Sequence, residues 1–104
     1  MIDKELADKV VALGVAKRFP DEGDWWIYSL NDIGPNGQIA KLFIRDWRVA
    51  GALMEKMDGE LLIWRQAYDN DSPVWIVETH LTNADGRDES LPRAIIEGCV
   101  EALP

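Results

Sequence analysis

The chain has 104 residues, 47% hydrophobic and 29% charged, the balance of an ordinary globular protein rather than a disordered one. That length suits a single domain over residues 1–104, since two would each be too small to bury a core. A net charge of −8 disfavours direct contact with nucleic-acid phosphates and with anionic membrane surfaces. It suits a basic partner or, in the extreme, DNA mimicry, and it also keeps a small protein soluble.

The charge is uneven. Residues 1–52 hold seven Lys/Arg against eight Asp/Glu, and residues 53–104 hold four against eleven. The opening residues "MIDKELADKV" lack the basic start and unbroken apolar run of a signal peptide. No apolar stretch approaches the ~20 residues that would span a bilayer. A single cysteine cannot form an internal disulfide, so the expected home is a reducing cytosol.

Residues 3–13 are expected to form a first helix, because Ile2, Leu6, Val10 and Leu13 make one apolar stripe. Asp3 could cap its first turn, Gly14 sits where a left-handed C-cap residue is wanted, and Val15 offers the apolar contact that follows such a cap. "FPDEGD" (19–24) is a turn cluster, and "WWIYSL" (25–30) is aromatic and predicts a strand. "NDIGPNG" (31–37) is a loop. "QIAKLFI" (38–44) fits either a short strand or the approach to the next helix.

A second helix is expected over 46–57, "DWRVAGALMEKM", with Asp46 as N-cap and Trp47, Ala50, Met54 and Met57 on one face. Gly51 within it suggests a close backbone approach, and Asp58-Gly59 ends it. "ELLIWRQAY" (60–68) and "PVWIVETHL" (73–81), joined by "DNDS", read as a hairpin. Leu61, Ile63 and Ala67 point one way and Leu62, Trp64 and Tyr68 the other; Val74 and Ile76 oppose Trp75 and Val77. With both faces apolar, the sheet is expected to be covered on both sides. "TNADGRDE" (82–89) reads as a polar loop. The closing stretch, with Ser90 as N-cap and Pro92 in the first turn, reads as a third helix in which Gly98 allows close approach.

The fold expected is α+β. A small antiparallel sheet of three to four strands is covered by helices on both faces, in the order α-β-α-β-β-α, as a three-layer sandwich. Three pieces, "IDKELADKVVALGV", "RDWRVAGALMEKM" and "ESLPRAIIEGCVEAL", resemble in order and spacing the small phage-encoded proteins of the phage ABA-sandwich domain family. Together they cover about two fifths of the chain. The resemblance implies a phage or prophage origin and an α/β/α arrangement, and it carries over no activity, no cofactor and no site residues.

Chemistry-bearing motifs are sparse. Cys99 lies beside Glu97 and Glu101 near a helix C-terminus, surroundings that disfavour a thiolate, so it is expected to be a small buried hydrophobe. His80 with Glu78 supplies two metal ligands where zinc sites use three or four. Neither acidic loop has the spacing of an EF-hand, "GPNG" lacks the lysine of a phosphate loop, and Gly-x-Ser-x-Gly and His-Glu-x-x-His are missing. No catalytic, cofactor or metal site is expected.

Two surfaces remain. Trp25, Trp26, Trp64, Tyr68 and Trp75 outnumber what three short helices can cover, so part of this set is expected to stay exposed as an interaction surface. Lys41, Arg45 and Arg48 cluster at the start of the second helix and could form an anion pocket. The reading these features favour is a non-catalytic binding module for a host or phage protein or for a second copy of itself. A small-molecule binder that sequesters a nucleotide or metabolite is the alternative, with an enzyme built on Cys99 or His80 well behind.

Overall fold

The computed structural model describes residues 2–18, 25–28, 38–67, 73–79 and 85–103, the side chains of 17–18, 25–28 and 38–39 excepted. The element order is α1 (Asp3–Ala12), β1 (Ala16–Arg18), β2 (Trp25–Tyr28), β3 (Gln38–Ile39), α2 (Ala40–Phe43), α3 (Trp47–Lys56), β4 (Leu61–Gln66), β5 (Val74–Thr79), β6 (Asp85–Asp88) and α4 (Leu91–Ala102). The class is α+β with antiparallel strands, as expected. The simpler order α-β-α-β-β-α gives way to two three-stranded sheets, β1-β2-β3 and β4-β5-β6. Residues 38–43 are both things their pattern allowed, a two-residue strand running into a helical turn.

Local chemistry accounts for the helix ends. Asp46 precedes α3 and its carboxylate accepts from the Arg48 N–H at 2.8 Å, tying down one of the unsatisfied donors of the first turn. Ser90 does the same for α4, accepting from the Arg93 N–H at 3.5 Å with Pro92 inside the first turn. Past α1, Gly14 adopts φ +84°, the left-handed conformation that ends a helix without strain when no Cβ is present. Val15 follows it into the core. The expected cap at Asp3 is not formed. Ile2 occupies the N-cap position without a side-chain bond, and the Asp3 carboxylate reaches Arg93 at 2.7 Å and Arg45 at 3.8 Å.

The hairpin has the expected strands, in the register Leu61↔Thr79 through Gln66↔Val74. The polar segment read as a loop contributes β6, which pairs with β5 from Trp75↔Asp88 to Glu78↔Asp85. α4 packs on β5 and β6 and carries α3 and α1 on its other contacts. Its own face is apolar along most of its length, burying Ala94, Ile95, Ile96, Cys99 and Val100. These join Leu6, Ala7 and Val10 of α1, Phe43, Val49, Ala50 and Leu53 of α2 and α3, and Val77 of β5 in one core.

On α3 the buried face differs from the expected one. Val49, Ala50 and Leu53 are buried, whereas Trp47 is 59% exposed and Met54 also faces solvent. The two stripes overlap at Ala50, and Met57, just past the helix, also packs against the core. The face holding Val49, Ala50 and Leu53 is the one buried, and α3 packs on α4.

Among the described glycines, the closest backbone approach joins β6 to α4. A Cβ placed on Gly86 would overlap the Ala94 carbonyl oxygen, and one on Gly98 would meet Val77 Cγ1 at 3.3 Å. The close approach expected at Gly98 is therefore present, and the one expected at Gly51 is not: a Cβ there meets nothing within 4 Å. Two substitutions separate these cases. Gly86→Ala is expected to destabilise by at least ~2 kcal/mol, because helix backbone cannot yield as a side chain would. Gly51→Ala is expected to stabilise by about 1 kcal/mol, raising the melting temperature by roughly 5 °C. Thermal melts by circular dichroism of the two variants measure both.

Candidate functional site

The three consecutive residues Leu62, Ile63 and Trp64 lie in the middle of a regular strand, yet they are 48%, 39% and 40% exposed. α4 lies over β5 and β6 on the Val77 face, so on that face Ile63 overhangs the covered region, while Leu62 and Trp64 lie on the opposite face of the strand. Leu61, Ile63 and Arg65 share that face with Trp75, Val77 and Thr79; Leu62, Trp64 and Gln66 share the other with Val74, Ile76 and Glu78. The expectation of cover on both sides therefore holds at β5, where Ile76 and Val77 are both buried, and fails at β4. Ile76 stands apart from the main core and lies opposite Trp64 in register.

The sheet has two unlike edges. Along β6, the Glu97 carboxylate of α4 accepts from the Arg87 N–H at 3.2 Å, and α4 packs closely on the strand. Along β4, no strand pairs with the outer edge among the described residues. Carboxylates border it: Asp58 and Glu60 precede β4, and Glu78 lies opposite Leu62 with Asp85 opposite Glu78 in turn. Asp85 is within 3.6 Å of Arg87 Nε.

Of the aromatic residues expected to form a surface, Trp64 stands at this edge. Trp75 is placed differently. It is half-buried against the core, with the Arg65 guanidinium 5.6 Å over its ring, a cation–π pair across the two strands. Trp25 and Trp26 lie on β2, paired with Ile39 and Gln38 of β3; their side chains, with Tyr68 and His80, lie outside the described residues. Sequence reading missed Leu62 and Ile63 as surface residues, and also Leu42 and Trp47, exposed at 56% and 59%.

Lys41, Arg45 and Arg48 do fall close together in the chain around the start of α3. Two of them face carboxylates. Arg48 bonds Asp46 through Nε and Nη2, each at 3.2 Å, and Arg45 lies 3.8 Å from Asp3 while donating to the Lys41 carbonyl oxygen at 2.9 Å. A separate cavity of about 240 Å³ opens between the C-terminal ends of α1 and α4, lined by Lys9, Ala12, Leu13, Val100 and Leu103. Ligand pockets usually measure ~300–1,000 Å³ with several convergent polar groups, and Lys9 is the only charged group of this lining.

Cys99 is fully buried and packed in the core. Burial pushes its thiol up from 9.0 to about 11, opposite to the shift that makes a nucleophile. Among the described residues no three His, Cys, Asp or Glu side chains are placed to hold a metal ion, and no helix is long and apolar enough to cross a membrane. No protein-family model, curated protein or solved structure matches the chain.

The Cys99 environment makes a pH prediction. Its folded pKa lies above the unfolded one, so between about pH 9 and 11 the unfolded chain binds fewer protons. Stability then falls as pH rises through that window, by up to ~2 kcal/mol from this group, and below pH 9 the thiol contributes no slope. Cys99→Ala is expected to lose this part of the alkaline slope in urea titrations run from pH 8 to 11. At pH 7.5 a thiol reagent should label the wild type only after unfolding.

Proposed function

We propose that this protein is a non-catalytic binding module, a small phage or prophage accessory factor that works in the bacterial cytoplasm by docking on another protein. The observation that carries this reading is the run Leu62–Ile63–Trp64, exposed in a regular strand and bordered by carboxylates. Large apolar side chains gathered on one edge cost solubility unless a partner covers them, and aromatic anchors inside a polar rim are what binding surfaces use. The acidic second half would steer a basic partner toward that edge. The phage assignment rests on the three helical pieces that resemble phage ABA-sandwich proteins. Those pieces correspond to α1, α3 and α4, which build the core, so the resemblance speaks for origin and framework while β4 speaks for binding.

Native mass spectrometry of tagged protein recovered from producing host cells tests this. The expected result is a protein complex of fixed stoichiometry that is lost in the double variant Leu62→Ser, Trp64→Ser and, separately, in Leu62→Lys, each checked for a native circular dichroism spectrum at the assay temperature. A bare mass in every sample, or a small-molecule adduct retained by all, overturns the reading.

A further inference from the structure

We infer that β4 is an acceptor edge for strand addition, and that its occupant is an extended segment of another protein carrying apolar side chains and a basic residue. This rests on the binding-module reading and names the partner's chemistry and its mode of attachment. β4 is six residues long, and in an antiparallel sheet alternate residues turn both their N–H and C=O groups outward, so about three residues offer main-chain bonds to a newcomer. Pro is missing from the strand, and its one charged side chain, Arg65, is engaged over Trp75. Natural edges are usually blunted by charges, proline, bulges or a covering helix. β6 is so protected, by α4 and the Glu97 carboxylate; β4 has no proline, bulge or covering helix among the described residues, and its one charge is the Arg65 that lies over Trp75.

The side chains specify what would bind. On the face away from α4, the rows across the sheet are Leu62–Glu78–Asp85 and Trp64–Ile76–Arg87. An incoming strand extends each row by one position, about 4.8 Å beyond β4. Apolar side chains there would cover Leu62 and Trp64. A lysine or arginine beside Leu62 has the length to reach across it toward Glu78, with Glu60 at the start of the strand adding to the same field. A second copy of this chain would bring another charge of −8 and, in β4 itself, one arginine already engaged over Trp75. Charge complementarity thus favours a different, basic segment over self-pairing.

The test is selection on the immobilised full chain from a displayed library of random twelve-residue peptides. Enriched peptides should carry apolar residues at alternate positions, with Lys or Arg in excess and Asp and Glu depleted. Binding of the best of them, made synthetically, should weaken at least fivefold with Glu78→Gln and at least tenfold with Leu62→Lys, both of which keep the native circular dichroism spectrum. Amide exchange should show new protection in Leu61–Gln66. The inference is overturned by three results: no enrichment, enriched peptides that are acidic or indifferent to both variants, or a homodimer by sedimentation that Leu62→Lys dissociates. If the chain captures a cellular partner through Leu62 and Trp64 while β4 amides gain no protection, the binding module stands and strand addition fails.

Discussion

The contact between β6 and α4 leaves no room for a side chain at Gly86, and most of the structure is arranged around that fit. With backbone against backbone at this point, the helix axis is held close over β5, and Gly98 lets Val77 seat beneath it. Polar contacts fasten both ends of the same junction. The Ser90 N–H donates to Asp88 at 2.8 Å where β6 turns into α4, and Glu97 reaches back to the Arg87 N–H one helical turn past Arg93. Arg93 is the common partner. Its guanidinium lies 3.2 Å from Glu97, 3.7 Å from Asp88 and 2.7 Å from Asp3, so one mostly buried cation ties the sheet, α4 and the start of α1 together. Such a cation is tolerable away from water because carboxylates surround it; removing one partner would leave the others unbalanced.

Seating α4 over β5 and β6 has a direct cost at the far side of the sheet. A helix roughly 10 Å wide covers about two strands spaced ~4.8 Å apart, and β4 is the third. On the α4 face this leaves Ile63 exposed; Leu62 and Trp64 are exposed on the opposite face, and among the described residues no strand pairs with the outer edge of β4. Arg65 eases the exposure on one face by lying over Trp75. No comparable charge lies on the strand's other face, where Leu62 and Trp64 stand.

Much of the framework was legible in the residues. The caps at Asp46 and Ser90, the left-handed Gly14 and the hairpin pairing each follow from local chemistry that needs no tertiary context. β1 and β6 were not legible, and for a physical reason: "AKR" and "DGRD" have no β-forming side chains, and β6 exists because Gly86 fits against α4 and its backbone pairs with Trp75–Glu78. The exposed edge was hidden by a true ambiguity. A strand apolar on both faces is the signature of a buried central strand, and a strand left open for a partner carries the same signature, because in both cases something is meant to cover it. Only the strand's place in the tertiary structure separates the two. Trp64 belonged to a set of five aromatic residues of which some part was expected to stay exposed, but which of them, and the places of Leu62, Ile63 and Glu78, could not be read from the residues.

The charge distribution gains meaning from the same geometry. The second half of the chain is the acidic half, yet some of its carboxylates are structural: Glu97 and Asp88 neutralise Arg93, and Asp85 faces Arg87. Those that border β4, Asp58, Glu60 and Glu78, make no comparable contribution to the core. At 0.15 M salt the screening length is about 8 Å, comparable to the roughly 9.6 Å of two strand spacings from Glu78 to a strand laid on β4 and short against the molecule as a whole. The local acidity around this edge, rather than the total of −8, is therefore what a docking segment would sense. Main-chain bonds would hold such a segment with little regard to its sequence, so discrimination falls to the two exposed side chains and the carboxylate behind them.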